Sequence, residues 1–417
     1  MQDYCFTDDN FTEEQIEKSL KKWYKKLNDI PDNLLIIPPD STRSYSYAGL
    51  IVNIIYKLLP KDTNIDIMPA LGTHRPMSKN EINNMYGTKI PKEKFLVHNW
   101  RKDVIEIGKI PKEYIFQVSE GLLNFSIQVN INKNIIRGDY DLILSIGQVV
   151  PHEVVGMANY NKNIFVGCGG KDMINKTHYL SAVYGMEKIL GKDKTPVRKV
   201  FDYADKHFLN DVSIQYILTV TTKAEDKSRL HGLFIGEERE TFEKAVNLSK
   251  KKNITRISDA PDKILVYLSP EKFKSTWLGN KAIYRTRLAI KNDGDLIIIA
   301  PGLNKFGEDK ELDKLIRKYG YIGKNKIMSI IKNNEETILE ENLAAAAHLI
   351  HGSSEKRFNI YYSPGYLSKQ EIESVNYSYK PIDEINYNLS KLKKGYNFID
   401  GEKIYFIDNP ALGLWMS

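Results

Sequence analysis

The chain has 417 residues, of which 42% are hydrophobic, 11% aromatic and 27% charged. It is long and apolar enough to bury large cores in two or three domains, which excludes a disordered chain. Mean hydropathy is -0.41 and no apolar run approaches the roughly 20 residues of a membrane-spanning helix, so no membrane insertion is expected. Sixty Lys and Arg face fifty-three Asp and Glu, a net charge of +7. The charges are interspersed rather than gathered in a stripe or tail. That pattern is a solvated, mildly basic surface; it argues against nucleic acid and stays compatible with a small anionic ligand. The two cysteines, Cys5 and Cys168, support neither a disulfide framework nor a cysteine zinc site. The N-terminus is acidic and polar, without a basic segment and apolar core, so a cytoplasmic location is expected.

Apolar runs alternate with helix-period segments. Leu34 to Pro38 reads as a buried strand, Asn64 to Leu71 as a second and Tyr140 to Gly147 as a third, with Asn163 to Gly170 as a possible fourth. Between the first two, Tyr47, Leu50, Ile51, Ile54, Ile55 and Leu58 recur at helical spacing behind a cap at Ser41 or Thr42. Ser78 and Glu81 form a capping box that opens another helix. A second series follows. Lys263 to Ser269, Asp293 to Gly302 and Phe358 to Gly365 read as strands, Thr276 to Ile290 and Leu343 to Ile350 as helices. Strand–helix alternation predicts an α/β protein with mainly parallel sheets. The Lys-rich stretch Lys250 to Asn253 is the best boundary, dividing the chain into a domain of residues 1–255 and one of 256–417.

Open α/β sheets hold ligands at the carboxyl ends of their strands, and four polar clusters fall there. Asp40, Ser41, Thr42 and Arg43 lie between a strand and a helix; hydroxyls and an Arg at a helix start suit a phosphate or carboxylate, or equally a plain N-cap. His74 and Arg75 lie in a Gly–Pro-shaped turn, where a histidine can exchange protons near neutral pH. His152 follows the third strand. Lys162, the glycines Gly167, Gly169 and Gly170, and His178 make up the fourth cluster, with His178 opening a helical stretch. His98 is a fifth contributor to consider. No G-x-S-x-G elbow, dinucleotide glycine motif or phosphate-loop spacing is present. Read from the residues alone, two histidines acting as acid and base remain, with room for a metal on a third.

These clusters resemble, in order and spacing, the nickel-pincer lactate racemases. Asp40-Ser41-Thr42-Arg43 is similar to the family's D-x-T-R element, and the turn with His74 to its first catalytic-histidine motif. His152, Lys162 and His178, spaced by ten and sixteen residues, are similar to its second catalytic histidine, cofactor-bearing lysine and nickel-ligating histidine. Lys281 resembles a substrate-binding lysine in the second domain. The resemblance implies two α/β domains with the active site in the cleft between them. It implies nickel in a pincer, a modified pyridinium mononucleotide made by cofactor biosynthesis proteins and joined to Lys162, with His178 on the metal. It implies that His74 and His152 stand on opposite faces of C2 of a 2-hydroxy acid, whose configuration inverts by reversible hydride transfer to the cofactor. Arg43 and Lys281 would bind the substrate carboxylate, and Asp40, Ser41 and Thr42 would lie near the cofactor.

The sequence also departs from that pattern. Asn161 precedes Lys162 where the related motif carries glycines, and Leu278 replaces a glutamine. With Tyr160, Tyr179, Tyr284 and Asn280 nearby in sequence, a longer or polyhydroxylated acid such as an aldonate is an alternative to lactate. Two other classes stay open: a cofactor-free binding protein that kept the fold, and a hydrolase or lyase using a histidine-held metal. His348 and His351, three apart, could share a helix face, but the adjoining alanines favour a close-packed helix. Trp277 reads as core or cleft wall.

Overall fold

The computed structural model describes residues 4–8, 11–224, 227–333, 337–385, 387–399, 401–411 and 413–417. Its internal contacts divide the chain into two compact units, Met1–Leu180 with Ile189–Asn253, and Ser181–Lys188 with Ile254–Ser417.

The first unit begins with β1 (Tyr4–Thr7) and α1 (Glu13–Tyr24), then alternates β2 (Asn33–Ile37), α2 (Ala48–Leu58), β3 (Asn64–Ile67) and α3 (Lys79–Tyr86). An antiparallel hairpin of β4 (Val104–Ile110) and β5 (Ile127–Asn132) encloses α4 (Lys112–Val118). After α5 (Lys133–Arg137) comes β6 (Leu142–Gln148), then a small hairpin, β7 (Pro151–His152) and β8 (Gly156–Met157). α6 (Lys171–Tyr184) and α7 (Pro196–Phe208) lead to the long hairpin β9 (Ile214–Ala224) and β10 (Lys227–Gly236), and α8 (Arg239–Asn253) closes the series.

Six of these strands form one sheet in the order β1-β10-β9-β6-β2-β3. β9, β6, β2 and β3 run parallel; β10 and β1 are added antiparallel. The burial follows from this arrangement. Strands covered on both faces have no polar side, and all seven residues of β6 and the last four of β2 are buried. Leu34, Ile36, Ile51, Ile55, Leu144, Ile146 and Ile217 share one core with Trp23 of α1. Each such Leu or Ile contributes about 1.5–3 kcal/mol by leaving water.

The strand order also sets where a ligand can sit. From β2 the chain moves to β3 on one side, and β6 later pairs with β2 on the other. The loops leaving β2 and β6 therefore separate above the sheet, the point where open α/β sheets form crevices. All four polar clusters belong to this unit.

The second unit repeats the principle. Its sheet runs Ser378–Tyr379, Asn359–Pro364, Asp295–Ala300, Lys263–Tyr267, Glu402–Ile407 and Gly395–Ile399, with only the last strand antiparallel. The chain is thus α/β with mainly parallel sheets. No helix among the described residues is long and apolar enough to cross a membrane.

Three local expectations are corrected. Asn163–Gly167 is a π-helical turn rather than a strand. It opens with Asn163 N and Ile164 N donating to Tyr160 O (3.0 Å) and Asn161 O (3.1 Å), a local pairing that leaves no ladder for a sheet. The helix before β3 is not capped by Ser41 or Thr42. Asp40 caps a 3₁₀ segment over Ser41–Ser46, and Tyr47, in a left-handed conformation (φ 62°), starts α2 afresh. The helix expected over 276–290 breaks at Asn280 into Thr276–Gly279 and Lys281–Thr286. Asn280 is held from the side, its Oδ1 accepting from Tyr362 (2.7 Å) and Tyr377 (3.1 Å).

α3 seats against α2 at Gly49, where an added Cβ would lie 1.8 Å from the Met85 carbonyl oxygen. Asn53 fixes the same junction by donating to Tyr86 O at 2.7 Å. Gly49→Val should therefore push α3 away and cost on the order of 1–3 kcal/mol or more. Chemical denaturation should show a lower midpoint; an unchanged midpoint would mean that α3 does not depend on this contact.

Candidate active site

The loop leaving β2 brings Asp40 to His74. Asp40 Oδ2 lies 2.6 Å from His74 Nδ1, and Asp40 Oδ1 accepts from the backbone and hydroxyl of Thr42. The carboxylate is almost covered (7% exposed) while the imidazole is open (57%). Burial raises the Asp40 carboxyl, but the bond and charge of His74, together with the Thr42 donors, outweigh it and hold it below its ordinary value. An ionised Asp40 keeps the His74 proton on Nδ1 and leaves Nε2 to exchange protons outward, the same division of labour as in a histidine–carboxylate pair of a hydrolase.

Arg75, next to His74, turns away. It grips Glu81 of α3 through two bonds of 2.9 and 2.7 Å, and Glu81 in turn closes the capping box on Ser78. Arg75 and the Ser78 amide hold the Glu81 carboxyl down at about 2. Ser41 reaches the same carboxylate at 3.4 Å, and Tyr86 donates to Pro39 O at 2.6 Å. α3 thereby braces both the Asp40 loop and the His74 loop.

The loop leaving β6 supplies His152, whose Nδ1 accepts from Val154 N at 3.1 Å, so that its proton belongs on Nε2. Glu153 follows it directly. Ten residues after His152, Lys162 heads the π-helical turn. Burial and the neighbouring Arg43 pull its ammonium down to about 8, while Glu153 pulls the other way. Arg43, also desolvated, feels Glu153 and Asp40. His178 is not at the start of a helix but inside α6, a correction to the sequence expectation, and one turn earlier Ile174 O binds its Nδ1 at 2.6 Å. Burial first, and Lys162 next, push its pKa down to about 4 against the Ile174 bond and Glu153. His178 is neutral at neutral pH, with Nδ1 donating and Nε2 carrying the lone pair.

Arg43, Glu153, Lys162 and His178 thus form one electrostatic group, and Asp40 couples it to His74. Lys281 stands in the second unit, at the start of its short helix.

The glycines have a packing role. Gly72 N donates to Gly167 O at 2.8 Å, and a Cβ on Gly167 would meet Ala70 at 2.7 Å. On Gly169 it would strike Phe165 O at 1.8 Å. The His74 loop and the Lys162 turn can lie this close only without side chains there. His98 is part of that scaffold and not of the site. Its Nδ1 accepts from Asn132 (2.9 Å) and its Nε2 donates to Gly169 O (3.2 Å).

Tyr160, expected to be available to a substrate, is buried against Tyr216 and Phe242 at ring-centre distances of 4.3 and 5.1 Å. In the second unit His348 sits between the hydroxyls of Tyr284 (2.9 Å) and Tyr321 (3.0 Å) and stacks on Trp277 at 4.2 Å. Both of its nitrogens are engaged there, which leaves no lone pair for a metal.

Two features escaped the sequence. Glu153 faces the cations Arg43 and Lys162; its only signal was adjacency to His152. Arg198, Asp202 and Asp205 form a polar stripe at positions i, i+4 and i+7 of α7, a pattern visible in the sequence but with no partner to give it meaning.

Among the described residues no group of three or more His, Cys, Asp or Glu is arranged to hold a metal. A metal here would have His178 Nε2 as its protein ligand and would need its remaining donors from a bound group. A half-buried amine of lowered pKa beside it suits attachment of such a group, so the residues fit a tethered metal cofactor rather than a free ion.

This is an α/β fold with histidines and a depressed lysine at its strand ends. Residues 6–188 match the family model described as lactate racemase N-terminal domain. That region, less than half of the chain, is similar to the N-terminal domain of lactate racemases. The chain is 27% identical over 177 residues to the lactate racemase of Lactiplantibacillus plantarum, a match that covers 40% of this chain and 38% of that enzyme. Among solved structures, a protein from Thermotoga maritima aligns over 98% of this chain and 99% of its own, with TM-score 0.82 and 23% identity. The lactate racemase apoprotein from Thermoanaerobacterium thermosaccharolyticum aligns over 98% and 94%, with TM-score 0.71 and 17% identity. Both share the fold.

The Lys162 amine predicts a pH-dependent stability. In the unfolded chain it titrates near 10.4; in the fold, near 8. Between these values the unfolded chain holds more protons, so stability rises with pH there. Below about pH 8 both states are protonated and the cost of burying the ammonium is present in full. Lys162→Met should therefore stabilise the unloaded chain at pH 7 by on the order of 1–3 kcal/mol, with the gain shrinking from pH 8 and gone by about 10.5. Thermal melts of both chains across that range check it; an equal melting temperature at pH 7 would show that the amine is not desolvated.

Proposed function

We propose that the chain is a racemase or epimerase acting at C2 of a 2-hydroxy acid, with a nickel-pincer pyridinium mononucleotide joined to Lys162. The observation that carries this reading is the state of the Lys162–His178 pair: an amine lowered to about 8 and a histidine held neutral with its Nε2 lone pair free of a proton. Attachment needs an uncharged nucleophile, and a metal needs an unprotonated imidazole. When bound, the group would supply an acceptor for hydride from C2, and cofactor biosynthesis proteins would be required to build it.

The chain's own residues perform the proton work. Asp40 orients His74 so that Nε2 can take the proton of the substrate hydroxyl, and the resulting imidazolium is stabilised by the carboxylate behind it. His152 performs the same step for the opposite enantiomer, and its Nδ1 is fixed by Val154 N. A single base cannot serve both hands of the substrate. Arg43 holds the substrate carboxylate, a role that the resemblance also gives to Lys281 of the second unit, and Ser41 and Thr42 lie on the cofactor side. The substrate class is a lactate-like or a longer, polyhydroxylated 2-hydroxy acid.

His74→Ala and His152→Ala should each lower turnover of both epimers by about 10²–10⁴-fold or more, and the double variant little beyond the worse single one. The assay is a panel of 2-hydroxy acids with protein co-expressed with the cofactor biosynthesis proteins, with loading confirmed by intact mass. Near-wild-type rates in both directions for either variant would refute the two-base scheme. Lys162→Ala should lose the covalent mass, and His178→Ala should lose nickel while keeping it; full loading on Lys162→Ala would refute the attachment site.

A further inference from the structure

The backbone leading into Lys162 is held in an unfavourable conformation. Asn159 and Tyr160 both adopt left-handed backbone angles, with φ of 71° and 62°. For Tyr160 this conformation costs roughly 1–2 kcal/mol, less for Asn159, whose side-chain amide accepts from Tyr160 N at 2.7 Å, and two in succession persist where the surroundings over-determine them.

Those surroundings are specific. Arg198 of α7 is fully buried, and its Nη2 donates to Met157 O (2.8 Å) and Asn159 O (3.1 Å). Its Nη1 donates to Asn161 Oδ1. Asn161, also fully buried, passes the connection on: Nδ2 donates to Asp202 Oδ1 at 2.8 Å and Asp205 Oδ2 at 3.3 Å. The Tyr160 ring is gripped by Tyr216 and Phe242. Asn163, just beyond the lysine, is tied to β6 through Ser145 Oγ and Ile146 O, both at 3.3 Å. Every residue flanking Lys162 is thus fixed, and only the lysine side chain is left to the site. Burying a guanidinium against partly covered carboxylates is a poor way to gain stability, because desolvation offsets the attraction. Burial is the largest of the influences that bring Arg198 down to about 10 and Asp205 up to about 6.

We propose that Asn161, Arg198, Asp202 and Asp205 are a positioning network for Lys162, which sets the direction of its amine by clamping the strained Asn159–Tyr160 pair. The network does with side chains what glycines before the lysine would do with backbone freedom. The proposal rests on reading Lys162 as the attachment residue.

The test uses the full, unloaded chain and needs no nickel. Acylation of Lys162 by a succinimidyl ester is followed by peptide mass across pH 6–11. Wild type should be half-maximal near the Lys162 value of about 8. Asn161→Ala should let the segment relax toward solvent, move the profile toward an ordinary lysine near 10.4, and lower the rate at pH 8 about tenfold or more. Asp205→Asn keeps an acceptor for Asn161 and should hold the wild-type profile. Val200→Ala, a core truncation on the same helix, should lose stability without moving it. Should Asn161→Ala not fold, Asn161→Ser serves the same comparison. An Asn161 variant that loses as much stability as Val200→Ala yet keeps the wild-type profile would overturn the proposal. A wild-type Lys162 that reacts no faster than surface lysines would instead overturn the attachment reading, whatever the variants show.

Discussion

A primary amine kept out of water beside a guanidinium is the constraint on which the first unit depends. An ammonium in that position is disfavoured by desolvation and by like charge. The structure answers with the carboxylates of Glu153 and Asp40, and with a neutral histidine where a third cation would be intolerable. His178 is neutral because burial and the nearby Lys162 push its pKa down; the Ile174 bond works the other way and fixes which ring nitrogen keeps the proton. The scaffold around this group is then free to be rigid, and it is. Gly167 lets the lysine turn pack on the segment leading to His74, Gly169 lets the turn close on itself, Gly170 seats it on the β4–β5 hairpin, and α3 braces the other side through Glu81.

That arrangement separates two kinds of histidine. His74 is open and backed by a buried carboxylate, suited to gaining and losing protons. His98 and His348 are enclosed, with both nitrogens committed to fixed partners, and cannot do so. His178 stands between these cases: enclosed and neutral, with its proton fixed on one nitrogen. The same residue type thus occupies three settings, and the difference lies in what binds Nδ1.

The apolar runs at 34–38, 64–71 and 140–147 were legible as strands because strands covered on both faces show unbroken hydrophobicity. The same rule misread 163–167. Ile164, Phe165 and Val166 are as buried as any strand, but Gly169 must lie against Phe165 O, and only a tight turn allows that. The candidate site residues stood out by type and by their position near strand ends. Their couplings did not. Asp40 meets His74 across 34 residues and Arg198 meets Asn161 across 37, and no local pattern encodes such pairings. Tyr160 misled for the same reason: a tyrosine beside a site lysine invites a substrate role, while the tertiary structure packs it between Tyr216 and Phe242.

The short segment Ser181–Lys188 belongs by its contacts to the second unit, although the residues on either side of it belong to the first. Its Glu187 binds the buried Arg287 at 2.6 Å, and its Val183 carbonyl accepts from Lys324 at 2.8 Å. A ribosome makes those partners a hundred or more residues later. The end of α6, only a few residues past His178, therefore waits for its neighbours during synthesis. A nascent chain cut short near residue 253 would carry the whole first sheet but lack the Arg287 and Lys324 partners of this segment. The helix bearing the proposed metal ligand is completed by residues beyond 253, so a chain ending there should be sheet-competent yet frayed beside His178.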